Sequence, residues 1–272
     1  MMLNGQTIAQ KIYEEIGDRL RGKRVCFVSF LDSPESRVFM EKKQKIAEKL
    51  GITAEIRMVP TLVGTPAEVG EQAEQIVQEI AKSSYDGVVI QLPLPAEFDA
   101  QKLFDTLPVE LDIDMLGTKA KEAYVEGKTK RVPPVAGATQ EILQSQSVNL
   151  ADRRVVVLGK GRLVGEPVAL WFRSVSQTYK NFDINTQKSE LLDGLKEADI
   201  VISGIGQPHF IKPDMVKSGV ILIDAGTSEQ AGKLAGDIDP ACAEIASLYT
   251  PVPGGVGPIT IAVLMRNLSY FE

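Results

Sequence analysis

Short runs of aliphatic and β-branched residues alternate along the chain with longer segments whose apolar positions recur every three or four residues. A short run that is apolar at consecutive positions suits a strand covered on both faces, and the longer period suits a helix with one buried stripe. In the first half this pattern predicts a strand over Val25 to Phe30, a helix over Ser36 to Leu50, a strand over Ala54 to Val59, a helix over Pro66 to Lys82 and a strand over Gly87 to Gln91. Strands separated by helical crossovers pair in parallel, so the expected class is α/β. The second of these helices carries its own start signal. Thr65 is placed to cap it, Pro66 to occupy its first position and Glu68 to complete a capping box, and Val69, Ala73, Ile76, Val77 and Ile80 then share one face.

From Pro93 to Leu116 the pattern is broken by prolines, and a charged stretch follows up to Arg131. A helical pattern resumes at about Ala138, and Arg154 to Leu158 opens a second α/β series. Its further members are a strand near Phe182, a helix over Ser189 to Lys196, and strands over Ile200 to Ser203 and Val220 to Asp224. The break predicts two domains: residues 1–117 together with 256–272, and residues 118–255. Near the end stands TPVPGGVGPIT, residues 250–260, followed by an amphipathic tail. Its prolines fix φ and its glycines admit positive φ or close approach, so it is shaped backbone. A tight crossover and a ligand-contacting loop both fit it.

Composition narrows the classes. A length of 272 residues, 44% hydrophobic and 24% charged, is that of a globular chain of one or two domains. No stretch has the length and apolarity of a membrane span or the form of a signal peptide, which points to the cytoplasm and to no membrane partner. A net charge of −6 disfavours a nucleic-acid surface. Two distant cysteines and a single histidine, His209 in a turn sequence, give no disulfide framework and no metal site. Cys26, within an apolar run, is expected in the core.

Four places could carry chemistry. On the helix over 36–50, Phe39, Ile46, Ala47 and Leu50 form a stripe that also contains Lys43. Such a lysine either packs its stem while its head reaches water, or is desolvated enough to act as a base near neutrality. Gln91 stands at the carboxyl end of a predicted parallel strand, where open α/β sheets bind ligands, although a turn-capping glutamine would look the same. In LDIDML, Asp112 and Asp114 alternate with apolar residues, and Asp114 could accept two N–H groups of a heterocycle or serve only as a turn carboxylate. Finally, VVVLGKGRLVGEP places Gly159, Gly161 and Gly165 where a strand becomes a helix, with Lys160 and Arg162 between them. This GxGxxxG spacing is close to a dinucleotide fingerprint and also compatible with a plain strand-to-helix turn.

Taken together, LNG near the start, SRVFMEKKQKIAEKLGI, DGVVIQLPLP, DIDML, GKGRLVGEP, ADIVISGIGQPHFI, GDID and TPVPGGVGPIT resemble the bifunctional methylenetetrahydrofolate dehydrogenase/methenyltetrahydrofolate cyclohydrolase family over nearly the whole chain. The resemblance implies two α/β domains flanking a cleft, the second a Rossmann-like dinucleotide-binding domain. It implies oxidation of 5,10-methylenetetrahydrofolate with NAD(P)+, hydrolysis of the product to 10-formyltetrahydrofolate, and a homodimer serving one-carbon metabolism and purine biosynthesis. Lys43, Gln91 and Asp114 would be the catalytic set, and Phe39, Pro253, Gly254, Gly255 and Pro258 would contact the folate. Gly159, Lys160, Gly161, Arg162, Gly165 and Thr227 would bind the cofactor, and Gly254 to Pro258 would lie over the cleft.

The chain also departs from the family. Phe39 replaces a tyrosine, PPVAGA at 133–138 replaces PCTPxG, GKG replaces GRS, and DAGTS at 224–228 replaces DVGIN. The lost hydroxyl keeps open a dehydrogenase with weak or absent cyclohydrolase activity. The altered cofactor loops keep open a folate- or nucleotide-binding protein without turnover. At the end of the second nucleotide-domain strand, Asp183 suits NAD whereas Asn185, Thr186 and Lys188 suit a phosphate, so NADP is favoured with NAD as the other candidate.

Overall fold

A computed structural model describes residues 1–175, 178–230 and 233–270. The chain divides into two compact units. One comprises Ile12–Pro133 and the chain from Leu264 onward; the other comprises Met1–Lys11 and Pro134–Val263. These limits do not coincide with the boundaries expected at 117/118 and 255/256. Residues after Gly117 stay with the first unit because buried Arg131 donates to the carbonyls of Val109 and Tyr270, both at 2.9 Å, and Val132 N donates to Asn267 Oδ1 at 3.1 Å.

The first unit follows helix α1 (Gly5–Ile16), which begins in the other unit. It contains β1 (Arg24–Ser29), α2 (Pro34–Lys49), β2 (Thr53–Met58), α3 (Pro66–Ala81), β3 (Gly87–Ile90), α4 (Ala100–Asp105) and α5 (Thr118–Val125). The sheet is parallel with order β2-β1-β3. Central β1 is covered on both faces along nearly its whole length, whereas edge strand β2 is at best half-buried, which is why the first reads as a continuous apolar run and the second does not. Val28, Val77, Ile80, Val88, Ile90 and Phe104 make the core, with Cys26 inside it as expected. The capping box at Thr65 forms as the sequence predicts: Glu68 N donates to Thr65 Oγ1 at 3.4 Å and Thr65 N to Glu68 Oε2 at 2.7 Å.

The second unit contains α6 (Pro134–Ser145), β4 (Val155–Leu158), α7 (Gly165–Val175), β5 (Tyr179–Phe182), α8 (Lys188–Glu197), β6 (Ile200–Ser203) and β7 (Ile221–Asp224). The hairpin β8 (Ser228–Gln230) and β9 (Lys233–Ala235), then β10 (Leu248–Tyr249), complete its strands, and α9 (Val256–Leu268) passes back into the first unit. Its five-stranded parallel sheet has the order β10-β7-β6-β4-β5. Val156, Leu158, Phe182, Leu195, Val201 and Leu222 are among the buried residues beneath it.

Two sequence expectations need correction here. PPVAGA is not a loop: Pro134 opens α6, a position where a missing N–H costs nothing because that group has no partner within the helix. TPVPGGVGPIT is only partly irregular, since Val256 to Thr260 already form the first turn of α9. Among the described residues no helix is long and apolar enough to cross a membrane.

Candidate functional site

In the first unit, β1 and β3 are neighbours in register, so the residues leaving their carboxyl ends emerge side by side. Gln91 extends β3 by donating its backbone N–H to Val28 O at 2.8 Å. α2, which follows β1, starts at Ser33, whose hydroxyl caps Ser36 N at 3.1 Å. The most buried line of α2 runs through Ser36, Met40 and Ala47. Phe39, Lys43, Ile46 and Leu50 therefore form its half-buried margin, a shift of the expected stripe. From that margin Lys43 Nζ donates to Gln91 Oε1 at 3.0 Å, and the Gln91 amide is oriented by its own donation to Leu92 O at 2.6 Å. Burial pushes the Lys43 pKa down, opposed by the charge of Asp114; burial pushes the Asp114 pKa up, opposed by Lys43.

The two aspartates of LDIDML separate in role. Asp112 is buried, and its Oδ2 accepts Gly117 N at 2.7 Å, closing the turn; desolvation raises its pKa to about 6. Asp114 is half-buried, and among the described residues no hydrogen bond reaches its carboxylate. Its loop is held from behind by fully buried Asn267, whose amide donates to Ile113 O at 2.9 Å and to Val132 O at 2.8 Å. One turn before Lys43, Phe39 lies 5.7 Å from the Nζ of exposed Lys42, measured to the ring centre, an exposed cation–π contact.

In the second unit, β4 is followed by Gly159 with φ 101°, a conformation that suits glycine. A Cβ on Gly165 would stand 1.9 Å from Gly159 O, so the first turn of α7 sits directly against the strand end. Gly161 is different: a Cβ there would meet no atom within 4 Å, so it leaves open space in front of the turn. Lys160 is exposed and its Nζ lies 2.9 Å from Asp183 Oδ2, while Arg162 is half-buried and Thr227 exposed just beyond β7.

Behind these loops lie two fully buried carboxylates. Asp224 accepts Gly226 N and Asp237 N, both at 3.0 Å, and Ile238 N at 2.8 Å. Asp237 accepts Ser203 Oγ and Ile205 N, both at 2.8 Å, and Gln207 N at 2.9 Å. Desolvation raises the Asp224 pKa to about 7 against the pull of its N–H donors. The backbone N–H of Asp224 in turn donates to Thr250 Oγ1 at 2.7 Å, fixing the start of the glycine-proline segment. There Gly254 has φ 106° with open space around it, while Gly255 is enclosed and donates to Pro251 O at 2.7 Å. Pro253 is exposed, and half-buried Pro258 lies within α9.

Two family profiles match the chain: tetrahydrofolate dehydrogenase/cyclohydrolase, catalytic domain, over residues 3–114, and the NAD(P)-binding domain of the same family over residues 133–271. This chain belongs to the tetrahydrofolate dehydrogenase/cyclohydrolase family. It is 30% identical to the bifunctional protein FolD 2 of Lactobacillus johnsonii, over 98% of this chain and 95% of that protein. Its fold matches the bifunctional enzyme FolD, methylenetetrahydrofolate dehydrogenase/cyclohydrolase, of Campylobacter jejuni with a TM-score of 0.90 at 25% identity, covering 99% and 97% of the two chains. The FolD of Trypanosoma brucei, solved with NADP cofactor and an inhibitor, matches with a TM-score of 0.89 at 27% identity over 98% and 95%.

The family's NAD(P)-binding role is compatible with the second unit as built. The enclosed Gly159 and Gly165, the open space at Gly161 and the N-terminus of α7 make a turn in which backbone N–H groups can meet a pyrophosphate. Sequence reasoning assigned no role to Asp224, Asp237 or Asn267. The signal available was weak: the aspartate closing ILID, the first aspartate of GDID, and an asparagine within a largely apolar helix.

Proposed function

We propose that the chain oxidises 5,10-methylenetetrahydrofolate to 5,10-methenyltetrahydrofolate and hydrolyses that product to 10-formyltetrahydrofolate. NADP+ is the favoured oxidant, a reading supported by the T. brucei relative solved with NADP cofactor, with NAD+ the weaker one. The observation that carries this reading is Lys43: a half-buried ammonium with lowered pKa, held 3.0 Å from Gln91 Oε1 and within the field of Asp114.

The nicotinamide, when bound, supplies the acceptor for the hydride that leaves the methylene carbon. The protein's part in that step is alignment, because the folate nitrogen lone pair provides the push. In hydrolysis, neutral Lys43 takes a proton from the water that adds to the methenyl carbon and gives it to N5 as that carbon–nitrogen bond opens, while the carbinol hydroxyl loses its proton to solvent to leave the formyl group. Gln91 keeps the lysine aimed. Asp114, with its acceptors uncommitted, receives N–H groups of the pterin, and Phe39 offers an aromatic face to the benzoyl ring. Pro253, Gly254, Gly255 and Pro258 are assigned to substrate contact, and Gly159, Lys160, Gly161, Arg162, Gly165 and Thr227 to the cofactor. On the same reading the enzyme works as a cytoplasmic homodimer in one-carbon supply, purine biosynthesis included, with no nucleic-acid partner.

The test follows methenyl and reduced-nicotinamide absorbance separately after mixing enzyme with methylenetetrahydrofolate and NAD+ or NADP+. Both signals are expected to rise, followed by loss of the methenyl band. Absence of reduced nicotinamide with either cofactor would refute the reading.

A further inference from the structure

Asn267 is a fully buried amide near the end of α9, between buried Met265 and Leu268. An amide without water must place its donors and its acceptor on protein groups. Its Oδ1 accepts Val132 N at 3.1 Å and its Nδ2 donates to Val132 O at 2.8 Å, so the side chain pairs with both backbone groups of Val132 as a neighbouring strand would. Because Val132 N can only donate, it fixes which end of the amide is oxygen and aims the nitrogen at carbonyls. The second carbonyl is Ile113 O, at 2.9 Å.

Ile113 O belongs to the peptide unit whose nitrogen is that of Asp114. The unit is planar, so a bond that fixes the carbonyl also fixes the plane from which the Asp114 side chain departs. On the other side of Asp114, Met115 is 2% exposed with φ 59°, a left-handed conformation that a residue with a side chain keeps only where its surroundings hold it. The Ile113 side chain is enclosed as well: a Cβ on Gly87, at the start of β3, would stand 2.9 Å from Ile113 Cγ2 and 2.8 Å from Leu268 Cδ1. Half-buried Asp114 is thus carried between two buried residues, and the end of α9 packs and bonds against the first of them.

We propose that Asn267 is a positioning residue for folate binding: through the Ile113–Asp114 peptide it holds the Asp114 carboxylate in the orientation that receives the pterin N–H groups, without touching the substrate itself. The proposal rests on the role given to Asp114 above. Neighbouring Arg131 supplies the contrast, since it ties the same segment to Val109 O and Tyr270 O and makes no bond to the Asp114 peptide.

Steady-state kinetics in a double-mutant cycle test this. Asn267→Leu, close in volume, is expected to raise the KM for methylenetetrahydrofolate about fivefold or more with kcat within about threefold of the parent. In an Asp114→Asn background the same substitution should change KM by less than about twofold, because nothing is left for it to position. Arg131→Met also strands buried carbonyls, yet should leave KM within about threefold of the parent. If Asn267→Leu does not fold, Asn267→Ser, whose hydroxyl is too short to bridge both carbonyls, is read in the same cycle. An unchanged KM in the Asn267 variant, a full effect persisting without Asp114, or an equal rise in Arg131→Met would each overturn the proposal alone. An unchanged KM in Asp114→Asn itself would overturn the role of Asp114 and the proposal with it.

Discussion

Two clusters of charged groups, one in each unit, are treated in opposite ways. Around Asp224 and Asp237 the polar atoms are occupied: two fully buried carboxylates accept six hydrogen bonds, five of them from backbone N–H groups. Around Lys43 and Asp114, among the described residues, one hydrogen bond serves the ammonium and none serves the carboxylate. The same contrast recurs within five residues of chain, where Asp112 is tied to Gly117 N and Asp114 is not. A buried acceptor saturated by its own backbone holds a loop in shape, and removing it strands the donors. A half-buried group left with spare capacity holds nothing together and remains available to a ligand. The direction of the pKa alone does not separate these classes, since Asp112, Asp114 and Asp224 are all pushed upward by desolvation; occupancy does.

The contrast can be broken experimentally, beginning with the largest effect. Lys43→Met should reduce methenyl hydrolysis by roughly 10²-fold or more while folate binding and the unfolding midpoint stay near the parent values; retained hydrolysis in a stopped-flow assay would remove the lysine from the mechanism. Asp224→Ala strands three N–H groups and should lower unfolding free energy in urea by about 3 kcal/mol. Asp114→Asn and Asp112→Asn form the closest comparison. The first should raise the KM for methylenetetrahydrofolate about tenfold at nearly unchanged stability, and the second should lower stability by about 1 kcal/mol. Equal losses of stability would show that the two aspartates do the same work.

A pH dependence tests the same carboxylate by another route. Asp224 has a folded-state pKa of about 7 against an ordinary 3.8, so the folded protein binds that proton more tightly than the unfolded chain. Its contribution to stability is complete below the unfolded pKa and is lost as pH rises through about 7. The carboxyl carbon resonance of Asp224 should therefore titrate near neutrality, and a midpoint near the ordinary value would contradict the cost assigned to its burial.

Much of this was legible in the sequence, for identifiable reasons. Parallel strands covered on both faces announce themselves as apolar runs, so Ile200–Ser203 is where the sequence places it. The capping box at Thr65 is local and complete within four residues. Lys43 and Gln91 were legible because each lies at a fixed distance from the end of a recognisable strand, and those strands are neighbours. α5, β10 and the hairpin of β8 and β9 were not, being short elements with little periodicity. Nor were the pairings of Lys160 with Asp183 and of the backbone around Asp224 with Asp237. They join residues whose local sequence gives no sign of the partner, and they exist only once the sheet has brought strand ends together.

The start of the chain has a consequence for the order of assembly. Leu3 N donates to Tyr249 O at 2.8 Å, Gly5 N donates to Gly254 O at 2.9 Å, and a Cβ on Gly5 would stand 1.9 Å from Gly255 O. On a ribosome these first residues emerge well before their partners, whereas the three strands of the β2-β1-β3 sheet lie close together in sequence and can pair early. Leu3 and Gly5 therefore meet these partners only after the segment around Gly254 has been made. The missing Cβ of Gly5 is what lets the Gly254 and Gly255 carbonyls approach, so Gly5→Ala should show itself less in the early sheet than in the last step of maturation.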